Sequence, residues 1–413
     1  MQQIDRQWVV VFALFISLAG FFLSRVLISI GMILLVANAV LHTRFQHNLR
    51  AFLSSPLYVS ITLVFFIVLL SGLYSSDLQY WLARLRIKIP FLVLPFAFAF
   101  IRPFSKRTFY IALYAFFGIM VLSTLSVIAI YVGNVEEIAT SYKMANVIPT
   151  PFHHIRYSLM LAFCIAIGLN CYIKKIYLFI KSEPMILLGF SIFLFLFLHL
   201  MAVRSGILAA YIVLFVYVIF LMLSYKRYLF GGLLFGILLA LPILAYLTMP
   251  TLQNKIKYMF YDLQQYYYYD KVENLSDSRR IHSIQMGIKA GLQQPLIGVG
   301  YGDMKSQVQE TYKKEMPKLP EDDMMIPHNQ FVIVFAGTGI IGLGLFLWAI
   351  LIPILTNRHY RDPLFLSFNL IVLSSFMTEP VLEVQLGTGF YLLFLLFLLK
   401  QPAFGKKDEA KKE

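Results

Sequence analysis

Long apolar runs broken by short polar gaps make up most of this chain. Runs rich in Phe, Leu, Ile, Val and Ala recur at roughly 8–24, 26–41, 57–73, 87–101, 108–132, 156–173, 184–203, 205–223, 228–249, 329–355, 363–379 and 385–399. Segments near 20 residues with little charge are what a hydrocarbon core about 30 Å thick requires of a helix. A membrane barrel would alternate apolar and polar residues in pieces of about ten, and that alternation is missing. The expected fold class is an all-α polytopic membrane protein with about twelve transmembrane helices. Nine of them fall in residues 1–249 and three in 329–400, with a tail at 401–413. The only long polar stretch, 250–328, is expected to be one large loop containing short helices.

Composition agrees with the pattern. The chain has 413 residues, 59% hydrophobic and 14% charged, against about 25% charged in a soluble domain. A net charge of +14 would suit nucleic acid if it were concentrated. Instead the basic residues are spread over short loops, as the positive-inside rule produces. Eighteen of the 35 lie on one side, at Arg6, Arg44, Arg50, Arg102, Lys106, Arg107, Lys174, Lys175, Lys181, Lys226, Arg227, Arg358, Arg361, Lys400, Lys406, Lys407, Lys411 and Lys412. Seven lie opposite, at Arg25, Arg84, Arg86, Lys88, Lys143, Arg156 and Arg204, and 10 lie in the long loop. Both termini are therefore expected in the cytoplasm and the long loop outside it. No cleavable leader is evident, and the first apolar run is read as an uncleaved anchor. Cys164 and Cys171 fall in one apolar run and are read as small apolar residues rather than a disulfide.

The candidate chemistry lies on the loop side. In SSDLQYWLARLRIK (75–88), Leu78, Trp81, Leu82 and Leu85 share one helical face, with Arg84, Arg86 and Lys88 elsewhere. This reads as a short interfacial helix, anchored by Trp or contacting substrate. The piece 133–155 ends in PTPFHHIR, which sets His153, His154 and Arg156 at the surface. No CxxC or HxxxH spacing offers a zinc site there. AVRSGILAA (202–210) is a bare corner holding Arg204. Such an arginine either snorkels or faces a cavity, and a turn this short has no need of a charge.

The long loop carries 10 basic and 10 acidic residues, so anion binding there has to come from local geometry. Its tyrosine run Tyr266–Tyr269 reads as an interfacial aromatic belt rather than a sugar-stacking platform. In 276–295, Ile281, Ile284, Ile288 and Leu292 form a helical stripe, and Ser276, Asp277 or Ser278 can cap it. Arg279 and Arg280 then sit in the first turn. There they either face an anion beside free backbone N–H groups or are neutralised by Asp270, Glu273 or Asp277. GVGYG (298–302) lacks the strand and helix of a nucleotide fingerprint and reads as a tight turn with positive-φ positions. Tyr301 within it, His328 and Asn329 at the next apolar run, and Glu379 and Glu383 in MTEPVLEVQLGTGF (377–390) complete the candidates. A histidine there can exchange a proton near neutral pH, and Gly337, Gly339, Gly342 and Gly344 after it suit close helix packing.

With AVRSGILAA, SRRIHSIQMGIKAGLQQPLIGVGYG, PHNQFVIVFAGTGIIGLGLF and MTEPVLE in this order, the chain resembles the O-antigen ligase and polymerase superfamily of membrane glycosyltransferases. The resemblance covers most of 150–400. It implies transfer of a glycan from undecaprenyl pyrophosphate at the periplasmic face of a bacterial inner membrane. It also implies a lipid A–core acceptor, inversion at the anomeric carbon, and no metal or cofactor. Arg204, Arg279 and His328 take the catalytic positions of the family. Two arginines stand where one is expected, and Arg279 is preferred. Arg280, Arg156, His154, Arg84, Arg86, Asn329, Tyr301 and Glu379 are assigned to substrate binding. Arginines would offset charge on the leaving diphosphate and His328 would accept the acceptor's proton, assisted by Glu379 or Glu383. The polyprenyl tail of the donor would lie in lipid or between helices. A polymerase or a protein O-oligosaccharyltransferase of the same superfamily is the alternative. A transporter is a third, disfavoured by the lack of an evident internal repeat. Arg204, Arg279 and His328 are expected to converge on one pocket.

Overall fold

The computed structural model describes residues 6–134, 148–269 and 276–402. Lys143, Asp270, Glu273 and the tail from residue 403 lie outside them, as do the side chains of Tyr266–Tyr269. Among the described residues every apolar run named above is helical and no strand forms. The order is α1 (Gln7–Leu23), α2 (Arg25–Val40), α3 (Phe45–Leu53), α4 (Pro56–Ser71), α5 (Leu78–Ala99), α6 (Lys106–Gly133), α7 (His154–Ile173), α8 (Glu183–Met201), α9 (Arg204–Tyr225) and α10 (Tyr228–Thr248). The polar stretch folds as α11 (Pro250–Tyr269), α12 (Ser276–Gly291) and α13 (Met304–Glu315). The chain then returns through α14 (Gln330–Leu355), α15 (Pro363–Phe376) and α16 (Gln385–Leu399).

Six helices, α6 to α10 and α14, are long and apolar enough to cross a membrane, or seven if α2 and α3, bent by 108° at their junction, count as one. α1, α4, α15 and α16 are apolar but shorter. Length and composition thus support a polytopic membrane protein, with six or seven helices among the described residues meeting the length of a full span and four shorter apolar ones beside them.

Hydrophobicity all round a helix suits either the centre of a bundle or a lipid-facing rim, and packing separates the two. α7 is central, with 83% of its apolar window buried, whereas α10 is peripheral, with 17%. α16 joins α7 at the centre, from Leu386 to Leu398 without an exposed residue. Their aromatic rings interlock, with the Phe394 ring 5.0 Å from that of Phe163 on α7 and 4.7 Å from that of Phe116 on α6. Such edge-to-face pairs add to plain burial. Cys164 and Cys171 are free and buried in this core.

Two elements differ from the sequence expectation. The short helix at 75–88 is the first part of α5, which starts at Asp77, whose carboxylate accepts from the Tyr80 amide, and continues through Pro90 and Pro95. Its Trp81 indole donates to the Val68 carbonyl of α4 at 2.8 Å, so the tryptophan pins two helices together. The second difference is a break in α14. Gly339 takes φ +64, ψ −167, which interrupts the helical ladder and releases backbone groups that lipid cannot satisfy. The glycine turn fills the gap. The amides of Ile340 and Ile341 donate to the Pro295 and Leu296 carbonyls, while Val299 and Gly300 donate to Ala336 and Gly337. Positive φ at Gly298 and Gly300 bears out the turn read from GVGYG. A side chain at Gly298 would place its Cβ 2.3 Å from the Thr338 amide.

Candidate active site

Chain connectivity brings the start of α7, the end of α8, the start of α9, the end of α10, the start of α14 and the 377–383 connection to one end of the bundle, beneath α11 to α13. The N-terminus of α12 is the centre of this end. Its cap is supplied from outside the helix. Asp262 on α11 is fully buried, and its carboxylate accepts from the Asp277 amide at 2.7 Å and the Ser278 amide at 3.0 Å. The Ser278 hydroxyl bonds the same carboxylate. Two of the N–H groups read as free for an anion are therefore occupied, and the cap is Asp262 rather than Ser276, Asp277 or Ser278.

All three arginines are ion-paired. Arg204, following Ala202 in the left-handed conformation, meets Asp277 through two parallel bonds of 2.9 and 2.5 Å. Arg280 reaches Glu379 at 3.2 Å and Arg279 reaches Asp323 at 2.9 Å. Each guanidinium is still partly open, with side-chain exposures of 38% for Arg204, 28% for Arg279 and 31% for Arg280. The arginines therefore keep donors available to a ligand while paired. Asp277 acts as the sequence allowed, by neutralising an arginine, but the one it pairs with is Arg204.

Arg280 is the hub. Its charge is felt at Glu379, His328, His153, His154 and Lys255. Burial raises the Glu379 carboxyl above its ordinary range, opposed by Arg280 and then Arg156. Burial also lowers His153, with Arg156 and Arg280 adding to it; its ring stacks on His154 at 4.7 Å. Lys255 on α11 is lowered by burial and by Arg204 and Arg280, against the pull of Asp277. Lys255 thus links Arg204 to Arg280 electrostatically, a role no sequence motif marked.

His328 stands beside this cluster. Burial, then Arg280, with Arg279 and His153 in support, pushes its imidazole down to about 4, so the ring is neutral at physiological pH. Its amide donates to the Ser283 hydroxyl of α12 at 3.0 Å. Its Nδ1 lies 3.2 Å from the Ile326 carbonyl. A carbonyl only accepts, so Nδ1 carries the proton and Nε2 keeps its lone pair. Asn329 caps α14 through the Val332 amide and donates to the Met377 carbonyl. Arg280 and Arg279 both act on His328, while Arg204 joins the same helix N-terminus through Asp277; of the two adjacent arginines, Arg280 acts on His328 the more strongly.

Of the other candidates, only Arg156 borders this cluster. Tyr301 is fully buried and its hydroxyl donates to Glu383 at 2.7 Å, which removes it from any surface a substrate reaches. Arg84 donates to the Glu383 carbonyl and stacks on the Tyr80 ring. Arg86 is exposed and, two residues on, points about 200° round α5 from Arg84. Arg156 faces Glu379, with Arg25 nearby. Among the described residues no three His, Cys, Asp or Glu side chains gather to hold a metal.

The fold is thus a helical bundle of membrane type that carries a polar cap, ion-paired arginines and a neutral histidine at one end. A family model described as O-antigen ligase matches residues 189–347, from within α8 to within α14, and so spans Arg204, Arg279, Arg280 and His328. This stretch of the chain is therefore similar to the O-antigen ligase family. No curated protein matches the chain.

Proposed function

We propose that this protein transfers a glycan from undecaprenyl pyrophosphate to a lipid A–core acceptor at the periplasmic face of a bacterial inner membrane. The observation that carries the reading is the placement of Arg280 among Glu379, Lys255 and a neutral His328. Arg280 and Arg204, both acting on Lys255, supply the cluster of positive charge that a diphosphate needs. Their carboxylate partners hold them in place until the donor arrives, and the donor's phosphoryl oxygens then replace Asp277 and Glu379 as acceptors.

The acceptor hydroxyl oxygen attacks the anomeric carbon as the bond from that carbon to the diphosphate oxygen breaks. One displacement inverts the configuration. The electron pair leaves on the diphosphate, where the guanidinium groups offset it. The hydroxyl proton passes to Nε2 of His328. Bound diphosphate also offsets the Arg280 and Arg279 charges that depress this histidine, so donor binding raises its basicity when a base is needed. Positive charge fixed by arginines does the work a metal does in other transferases.

The test supplies the purified protein with undecaprenyl-pyrophosphate glycan and lipid A–core in the presence of EDTA. Transfer to the core by wild type, lost in His328→Ala and Arg280→Ala, supports the reading. Donor consumed only into longer glycans assigns a polymerase instead, and no transfer to either acceptor rejects both.

A further inference from the structure

Beneath the site lies a second polar cluster that the transfer chemistry does not use. Glu383 is 3% exposed, and one of its oxygens, Oε1, accepts three hydrogen bonds. They come from Lys88 Nζ at 2.8 Å, the Tyr301 hydroxyl at 2.7 Å and Gln330 Nε2 at 2.9 Å. Lys88, Tyr301 and Gln330 are equally buried. The backbone is drawn in as well. Gln330 Oε1 accepts from the Leu382 amide at 2.8 Å, Lys88 donates to the Leu382 carbonyl, and Arg84 donates to the Glu383 carbonyl. Burial works against ionisation of Glu383, yet Lys88, Gln330 and Tyr301 hold it below the ordinary carboxylate range.

Four separate pieces of chain meet at this carboxylate: α5, the glycine turn, the first residue of α14 and the 381–383 turn. Two of them carry the site. Gln330 is two residues from His328, and Glu379, four residues before Glu383, holds Arg280. Asn329 adds a third stitch by donating to the Met377 carbonyl at 3.1 Å. Segments 328–330 and 377–383 are therefore fastened to each other by side chains rather than by a helix. A buried ion pair is weak evidence for stability, because desolvation returns most of the attraction and apolar replacements are often neutral. A buried pair that fixes geometry is the better-attested use.

We propose that Glu383 is a positioning residue, whose Oε1 sets His328 against the Arg280–Glu379 pair. It touches neither donor nor acceptor. The geometric claim stands by itself, and only its kinetic consequence rests on the transferase reading.

The test compares two charge-balanced double variants, Lys88→Met with Glu383→Ala, which removes the acceptor oxygen, and Lys88→Met with Glu383→Gln, which keeps one. Gln330→Met is a third variant that leaves the ion pair intact and cuts both Gln330 bonds. The first arm needs no activity. His328→Cys is introduced as a reporter, since Cys164 and Cys171 are both 0% exposed, and its labelling by a maleimide is timed in the full-length protein. Labelling at least about tenfold faster in the alanine pair and in Gln330→Met than in the glutamine pair is expected, from local opening that has lost buried hydrogen bonds. Equal rates in the two double variants overturn the proposal. If the alanine pair does not fold, Gln330→Met against its parent decides in the same way.

The second arm keeps His328 and follows turnover of the lipid-linked donor. kcat is expected to fall about 10²-fold in the alanine pair, as small misplacements of a reacting group do, with donor KM little changed and with rescue in the glutamine pair. Loss confined to donor KM contradicts positioning. Absence of turnover in wild type sinks the transferase reading and leaves the labelling result standing.

Discussion

Arg280→Ala against Arg279→Ala separates the site described here from the one the family resemblance implies. Arg280 approaches Glu379 at 3.2 Å, with side-chain exposures of 31% and 9%. At that distance and an effective dielectric of about 20, the gross attraction is about 5 kcal/mol. Desolvation returns most of it, and the half-open guanidinium is screened, so the net contribution to stability is about 1–2 kcal/mol. Removing it leaves Glu379 facing only Arg156, so its carboxyl, already raised by burial, takes up a proton more readily. The effect on catalysis is larger than the effect on folding. Losing one preplaced donor to a developing oxyanion costs about 10²–10³ in rate. Arg279 pairs with Asp323, a quarter exposed in a surface turn, and feels His328 more weakly than Arg280 does. Its alanine variant should lose about tenfold or less, by the measure of a partly screened pair. Arg280→Lys keeps the charge without the fork and should fall between the two. Single-turnover transfer from the lipid-linked donor, with thermal unfolding in parallel, reads both effects. A larger rate loss in Arg279→Ala than in Arg280→Ala refutes the assignment of Arg280 as the hub.

Protonation of His328 makes stability depend on pH. The folded chain keeps this ring neutral down to about 4, while the unfolded chain protonates near 6.5, so between these values the unfolded state holds more protons. Stability therefore falls as pH drops through that window, by at most about 3 kcal/mol from this group and less for its partial exposure. His328→Gln should flatten the decline in unfolding temperature between pH 6.5 and 4, and an unchanged slope contradicts the shift. Asp262→Ala strips the cap from α12 and leaves buried amides of Asp277 and Ser278 without their acceptor. The expected cost is about 2–3 kcal/mol, seen as faster hydrogen exchange at those two amides, with Asp262→Asn milder. Gly339→Ala would put a Cβ 2.3 Å from the Leu296 carbonyl at a positive φ, whereas Gly344 has nothing within 4 Å. The first should cut the yield of folded protein sharply, through strain of about 1–2 kcal/mol plus displaced backbone. Gly344→Ala serves as the control and should express as wild type does.

The helices were legible because a membrane imposes a local rule. A span must satisfy its own backbone and show apolar side chains to lipid, so each one is written in consecutive residues. Arg204 and His328 stand at the ends of apolar runs on one side, so their shared level could be anticipated; the Arg279–Arg280 pair lies within the polar stretch between two such runs. Which arginine forms the hub could not be anticipated. Arg279 and Arg280 share the first turn of α12, and the choice depends on Glu379 and Asp323, which are 99 and 44 positions away. The cap of α12 was misplaced because its carboxylate comes from Asp262 on another helix. Tyr301 was misread because neighbouring sequence does not show that its hydroxyl is spent on Glu383. The break in α14 was hidden among four glycines. Only the approach of the 295–300 turn makes Gly339 the one that leaves the helix. Periodicity and charge spacing act over a turn or two of helix, and they set where spans begin and end. Ion pairing, burial of polar groups and the repair of a broken ladder act between segments far apart in the chain, and folding fixes those partners.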